Sequence, residues 1–132
     1  MRLVIDTNVL IAAFISHGVC NELLEHCVVN HDVVLSKFIC DELKDKLTNK
    51  FTFTTREATA VVRLLKSRCS IVRTQSLPSP LSRDPDDDNI IATAMSGTCD
   101  CIITGDKDLL DLEKAGDVLI VSPSQFWQIE EK

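Results

Sequence analysis

Acidic residues follow two short apolar runs of the sequence, at points where a strand would end. Asp6 comes directly after RLVI at residues 2–5, and Asp106 lies in the turn TGDKD that follows CIIT at 101–104. In an open parallel sheet, ligands bind beyond the carboxyl ends of the strands, where the strand order reverses. If these two strands are neighbours there, Asp6 and Asp106 face one crevice, and their repulsion favours a bound cation. Mg²⁺ and Mn²⁺ prefer such oxygen ligands.

Two further segments contribute candidate acids. Residues 84–89, DPDDDN, place four aspartates at the start of a predicted helix. Aspartate is favoured as a helix cap and in the first turn, so one or two of the four need no other explanation. Four aspartates are more than capping requires, and the repulsion between their carboxylates indicates a bound counter-ion. Glu42 lies beside Leu43 on the apolar stripe of another predicted helix, so its carboxylate can point towards the end of the sheet.

The elements that position these acids alternate along the chain. Helical patterns separate five short apolar runs, which predict strands at residues 2–5, 33–35, 70–73, 101–104 and 118–121. This alternation predicts a single α/β domain over residues 1–132, a three-layer α/β/α sandwich with a short parallel five-stranded sheet.

Capping patterns predict where the helices begin and end. Ser36, Thr54 and Ser122 are expected to cap helices, and Gly97 is expected to end the helix that begins near Asp86. The pattern of residues 7–29 predicts one or two helices with a break near Gly18, and residues 75–83 are predicted to form a loop.

Charge is segregated along the sequence. The chain has a net charge of −6, but residues 37–73 carry a net charge of +5 and residues 84–117 carry −8. A basic segment can follow phosphates while an acidic one collects cations, which is a weak indication of nucleic-acid work. Ordinary solvated helix faces would produce the same segregation.

The remaining composition excludes several classes of protein. No apolar run reaches the roughly 18 residues of a membrane span, and no signal peptide is recognisable, so we expect a cytoplasmic protein without a membrane segment. The six cysteines form no CxxC pair and are expected to be buried, reduced thiols. His17, His26 and His31 lie away from the acidic motifs and are not expected to be catalytic.

Taken together and in order, the motifs VIDTNVLIAA, SKFICDEL, DPDDDNIIATAM and CIITGDKDLL resemble those of the PIN-domain (PilT N-terminus) nucleases, especially VapC-like toxin components of toxin-antitoxin systems. The resemblance covers the whole chain. It implies that four acids are both metal ligands and catalytic residues: Asp6, Glu42, Asp88 and Asp106. Asp88 is preferred to Asp87 because the family places its acid two residues before the paired apolar position and Ala.

The resemblance also implies supporting roles for other polar residues. Thr7 and Asn8 would support Asp6 by hydrogen bonds, Thr104 would order the turn before Asp106, and reserve ligands would be Asp86 and Asp108. The basic residues expected to bind RNA are Lys44, Lys46 and Lys50.

The implied activity is hydrolysis of RNA phosphodiester bonds by metal-activated water, in an endoribonuclease that depends on Mg²⁺ or Mn²⁺. The resemblance also implies that the protein is the toxin of a type II toxin-antitoxin pair, with an antitoxin partner and a homodimeric assembly. The acidic net charge and the absence of Tyr depart from a usual RNA binder. Recognition is therefore expected to depend on shape and phosphate contacts rather than on base stacking.

Other functions that would use the same acidic residues remain open. A non-catalytic PIN-like RNA-binding or scaffold module could keep the same residues. A metal-dependent phosphatase of the haloacid dehalogenase type would need a second Asp two residues after Asp6, where this chain has Asn8. A phosphoacceptor receiver domain usually needs a Lys after its last strand, and the segment SPSQFWQ at 122–128 contains none.

Overall fold

A computed structural model describes residues 1–16 and 18–130 of the chain, and within them it contains seven helices and six strands. The helices are α1 Thr7–Ile15, α2 Val19–Asn30, α3 Lys37–Lys50, α4 Thr55–Arg68, α5 Pro85–Ser96, α6 Lys107–Leu110 and α7 Pro123–Glu130. The strands are β1 Arg2–Ile5, β2 Asp32–Leu35, β3 Ser70–Ile71, β4 Cys101–Ile103, β5 Lys114–Ala115 and β6 Val118–Val121.

The strands form one sheet in the order β3-β2-β1-β4-β6-β5. Every pairing is parallel except that between β5 and β6, which is antiparallel. The order runs in opposite directions on the two sides of the β1–β4 pair, so the topological switch point lies between these strands. The first and fourth predicted strands are therefore neighbours, which is the condition under which Asp6 and Asp106 face one crevice.

The predicted α/β fold is confirmed, with one correction to the sheet. The five predicted strands are all present, but the two-residue β5 adds a sixth strand, which lies at the edge of the sheet and runs antiparallel to β6. The predicted strand at 70–73 is only two residues long. Strand β5 pairs with β6 across the turn at Gly116, whose φ of +61° suits glycine.

Local sequence explains the helix boundaries. Ser36 accepts a hydrogen bond from the Ile39 N–H, and Thr54 forms a reciprocal capping box with Glu57. The Ser122 hydroxyl accepts the Gln125 N–H, while the Gln125 side chain accepts the Ser122 N–H. These contacts satisfy N–H groups that have no partner inside a helix.

The core lies on both faces of the sheet. Leu3, Val4 and Ile5 are at most 1% exposed although they alternate between the two faces, as expected for a central strand covered by helices on both sides. The six cysteines are all free, and four of them are buried: Cys27, Cys40, Cys99 and Cys101. Burial raises the pKa of the Cys27 and Cys101 thiols to about 12, so neither is a reactive thiolate near neutral pH.

Across residues 1–16 and 18–130, no single helix is long and apolar enough to cross a membrane. The pair α1 and α2 reaches the necessary length and composition only when both helices are counted together, and the pair is bent by 110°.

Candidate active site

The carboxyl ends of β1 and β4 bring Asp6 and Asp106 together at the switch point. Ile5 pairs with Ile103, and the Asp6 N–H donates to the Ile103 carbonyl at 2.9 Å. The buried Thr104 connects the two acids. Its hydroxyl donates to Asp6 Oδ2 at 2.7 Å and accepts the Asp106 N–H at 3.0 Å. Thr104 therefore fixes one carboxylate and orders the turn that carries the other.

Asp6 is a buried acid, only 6% exposed. Burial raises its pKa above the ordinary value, and the neighbouring Asp106 carboxylate raises it further. Opposing contributions come from the hydrogen bonds that Thr104 and the Thr7 backbone donate, and from the Lys46 ammonium. The ionised form of Asp6 is therefore destabilised in the fold unless additional positive charge lies nearby.

The first turn of α5 contributes Asp87 to the same place. Asp87 is 5% exposed, and its carboxylate accepts a hydrogen bond from the Ser82 hydroxyl at 3.3 Å. One carboxylate oxygen from each of Asp87, Asp106 and Asp108 lies within 4.8 Å of the others. Burial, the charge of Asp106 and a hydrogen bond shared with Asp106 raise the pKa of Asp87 to about 7. This site holds more negative charge than its surroundings stabilise.

The structure places Asp88, the third acid that the family resemblance implied, outside this group of acids. Asp88 Oδ1 accepts the N–H groups of Leu81 and Ser82 at 3.0 and 2.9 Å, so this carboxylate organises the loop before α5. Consecutive helix residues point about 100° apart, and therefore only one of Asp87 and Asp88 can face the sheet.

A sequence signal for Asp87 was present. Asp87 precedes Ile90, Ile91 and Ala94 by three, four and seven residues, and all three of these are buried on the sheet-facing side of α5. This spacing marks a single helix face.

Helix α3 supplies Glu42 and, one turn later, Lys46. The side chains are 14% and 23% exposed, and Lys46 Nζ lies 3.9 Å from Glu42 Oε2. Lys46 Nζ also donates to Asn8 Oδ1 at 3.2 Å. The structure shows Asn8 bonded to this lysine, whereas Asp6 is supported by Thr104 and the Thr7 backbone.

These groups line one small cleft of about 60 Å³. Its walls contain six carboxylic acids and, among the described residues that line it, Lys46 as the one cation. The lining residues are Asp6, Asn8, Glu42, Lys46, Asp84, Asp86, Asp87, Ile90 and Asp106. We call this the acidic cleft. Asp86 therefore lies at the cleft as expected, and Asp108 lies beside Asp106 and Asp87 at its edge.

The three lysines expected to bind RNA occupy different positions on α3. Lys46 lines the acidic cleft, whereas Lys44 and Lys50 are exposed. At 100° per residue, Lys50 lies about 40° around the helix from Lys46, and Lys44 lies about 160° away. Lys46 and Lys50 share a helix face that reaches the cleft, and Lys44 does not belong to it.

The donor set of the acidic cleft fits a hard divalent cation. Carboxylates from β1, α3, α5 and the β4–α6 turn converge there, and the pKa values of Asp6 and Asp87 are raised in the cation's absence. The buried Oγ1 of Thr7, the residue that follows Asp6, has no hydrogen-bond partner within residues 1–16 and 18–130. Oxygen ligands of this kind suit Mg²⁺ and Mn²⁺.

Acids gathered at the switch point of a parallel α/β sheet form an arrangement that can hold a divalent cation. The sequence profile of the PIN domain matches residues 2–108 of the chain. The chain therefore belongs to the PIN-domain family. A search of curated protein sequences finds no significant match.

Solved structures share the same fold. VapBC2 from Rickettsia felis, bound to a DNA fragment from its promoter, aligns with a TM-score of 0.67 at 14% identity, covering 92% of this chain and 98% of the other. VapBC-1 from nontypeable Haemophilus influenzae gives 0.63 at 15%, covering 94% and 99%. VapC20 from Mycobacterium tuberculosis, a Sarcin-Ricin loop cleaving toxin, gives 0.63 at 11%, covering 89% and 98%.

Proposed function

We propose that this PIN-domain protein is a divalent-cation-dependent endoribonuclease and the toxin of a type II toxin-antitoxin pair. The observation that carries the proposal is the convergence of Asp6, Glu42, Asp87 and Asp106 on one cleft at the switch point of the sheet. We assign the cation ligands to these four, with Asp87 in the position that the family resemblance implied for Asp88. Mg²⁺ or Mn²⁺ is the proposed cofactor.

When bound, the cation supplies Lewis-acid activation of water and stabilises charge on the phosphoryl group. The protein's own residues arrange the site. Thr104 holds Asp6 and the Asp106 turn in fixed relation through two hydrogen bonds. Lys46 places an ammonium group at the wall of the cleft, where it can pair with a phosphate of the RNA backbone.

A protein partner is supported by an apolar groove on the helical face. The groove has a volume of about 500 Å³ and lies between α1, α2 and α4. Val29 and Leu64 are 78% and 50% exposed and line the same groove, and contiguous exposed apolar surface of this kind marks protein interaction sites. Solved structures with this fold include VapBC assemblies. We assign the groove to an antitoxin, and the homodimer and cytoplasmic location remain predictions.

The decisive experiment is cleavage of a panel of single-stranded and structured RNAs in Mg²⁺, Mn²⁺ or EDTA. Cleavage is expected with either cation, to be absent in EDTA, and to be abolished by Asp6→Asn, which keeps the size of the side chain. Asp111→Asn is the matched control, because Asp111 is exposed and lies outside the acidic cleft. Metal binding without cleavage of any RNA would favour the scaffold or phosphatase reading.

The antitoxin proposal has a separate test. Stoichiometric addition of the cognate antitoxin is expected to inhibit cleavage, and Val29→Arg is expected to relieve this inhibition while preserving cleavage itself. Inhibition that is unchanged by Val29→Arg would place the antitoxin on another surface.

A further inference from the structure

Three side chains with metal-ligand chemistry meet at the end of the sheet opposite to the acidic cleft. His26 lies in α2, His31 directly follows that helix before β2, and Glu130 ends α7. One ligand atom from each lies within 4.8 Å of the others. His26 Nε2 is 2.5 Å from Glu130 Oε2, and His31 Nε2 bonds to Oε1 of the same carboxylate. Two imidazoles therefore converge on one carboxylate through their Nε2 atoms.

Aromatic packing fixes the orientation of both imidazole rings. The His26 ring lies 4.7 Å from that of Trp127, centroid to centroid. The His31 ring meets the fully buried Phe126 edge to face at 5.7 Å, and the two imidazoles lie 5.7 Å apart. Because these contacts hold the rings in place, little side-chain freedom is left to lose when a ligand binds.

The other imidazole nitrogens have neighbours of their own. Asn30 Nδ2 lies 3.2 Å from His26 Nδ1 and also donates to the His26 carbonyl oxygen at 3.0 Å. The Met1 nitrogen lies 3.0 Å from His31 Nδ1. Both neighbours are hydrogen-bond donors, so in this arrangement Nδ1 of each ring accepts and Nε2 carries the proton that faces Glu130. The His26, His31 and Glu130 side chains are 29%, 12% and 19% exposed, so the cluster is sheltered yet open to solvent on one side.

We propose that His26, His31 and Glu130 form a second metal site, selective for Zn²⁺ or a similar borderline cation. Two imidazoles and one carboxylate form a donor set that zinc accepts, with water in the fourth position. Zinc bonds of 2.0–2.1 Å in a tetrahedron hold ligand atoms about 3.3 Å apart, so His26 Nε2 and Glu130 Oε2 need to separate by less than about 1 Å. Each imidazole binds through the Nε2 lone pair, so its proton moves to Nδ1, and the donor groups of Asn30 and Met1 turn away from that atom.

The two sites differ in chemistry and position. The acidic cleft offers oxygen ligands to hard cations, whereas imidazole nitrogen suits zinc, nickel and cobalt. His31 and Asp6 stand at opposite ends of neighbouring parallel strands, about 16 Å apart along the strand direction at 3.3 Å per residue. Zinc at this site ties α7 to α2 and β2, and it does so without occupying the acidic cleft.

The test is calorimetric titration of the full chain with Zn²⁺ alone. Besides binding in the acidic cleft, we expect a separate zinc site whose affinity falls at least tenfold in His26→Gln and in Glu130→Gln. Both residues lie outside the buried core, and far-ultraviolet circular dichroism checks that each variant is folded. Asp6→Asn is the matched control and should keep the site. Zinc affinity that depends on Asp6 and not on His26 or Glu130 would overturn the proposal.

A second measurement needs no variant. The cobalt(II) complex of the wild-type chain is expected to show the visible bands of nitrogen and oxygen ligation, without thiolate-to-cobalt charge transfer. A strong charge-transfer band would assign the metal to cysteines, and featureless cobalt spectra would show that the site does not form. Either result overturns the proposal whatever the variants do.

Discussion

Exchanging neighbouring aspartates tests which acid of α5 belongs to the acidic cleft. Asp87→Asn and Asp88→Asn make the same chemical change one residue apart. The pKa of Asp87 is about 7 in the fold against 3.8 for an ordinary aspartate. That difference corresponds to roughly 4 kcal/mol of unfavourable charge when Asp87 is ionised. Water reaches the cleft and screens the charge, so we expect about half of this, about 2 kcal/mol, to be recovered by Asp87→Asn.

The assay is thermal unfolding at pH 8, in EDTA and in Mn²⁺. In EDTA, Asp87→Asn should raise the melting temperature by roughly 6–8 °C, from 2 kcal/mol in a chain of this size. Asp88→Asn keeps an oxygen for the Leu81 and Ser82 N–H groups and loses only its charge, so the free energy of unfolding should fall by about 0.5–1 kcal/mol.

Manganese separates the two variants further. At one hundred times the dissociation constant, a bound cation stabilises the wild-type fold by about 2.7 kcal/mol. Asp88→Asn should keep this response, and Asp87→Asn should lose most of it. The reverse pattern, with the response lost in Asp88→Asn and kept in Asp87→Asn, would refute the reasoning and restore the position that the family resemblance implied.

Three other outcomes follow from the same site. In EDTA the free energy of unfolding should fall as pH rises from about 4 to 7, because the folded chain holds a proton on Asp87 that the unfolded chain has released. Urea titrations of wild type and Asp87→Asn should therefore differ in this pH window. Parallel curves for the two proteins would contradict the assigned pKa. Thr104→Val removes the hydroxyl that joins Asp6 to the Asp106 turn and should lower the free energy of unfolding by about 2 kcal/mol in urea titrations, whereas an unchanged value would deny the link its structural role. Lys46→Gln should weaken RNA binding and reduce the slope of log affinity against log salt concentration by about one. Lys44→Gln should leave the affinity and the slope nearly unchanged. Equal effects of the two substitutions would place the RNA on the outer face of α3.

Much of the fold could be predicted because local signals agreed with it. The capping patterns at Ser36, Thr54 and Ser122 depend on residues three apart, and each forms the predicted contacts. Asp6 and Asp106 could be placed because both follow buried strands whose carboxyl ends share one edge of a parallel sheet. Strand β5 was missed because two residues, one of them an exposed lysine, carry no periodic pattern.

The candidate site was harder to predict at the level of single residues. The choice between Asp87 and Asp88 depends on which side of α5 packs on the sheet and on a loop that takes Asp88 as its hydrogen-bond acceptor. Lys44 and Lys46 are indistinguishable as charges, and only their angle around α3 separates them. The convergence of His26 and His31 on Glu130 joins residues 104 and 99 positions apart, for which no sequence spacing gives a signal.

The acidic cleft is assembled from four distant parts of the chain, and this has a consequence for protein synthesis. Chains emerge from the ribosome with their N-terminal part first. Asp6, Glu42 and Asp87 are exposed to solvent early, but the cleft gains its last carboxylate only when β4 and the turn to Asp106 have been made and docked beside β1. A nascent chain in which β4 has not yet docked beside β1 therefore has no complete cation site, and the proposed nuclease activity begins only after this docking.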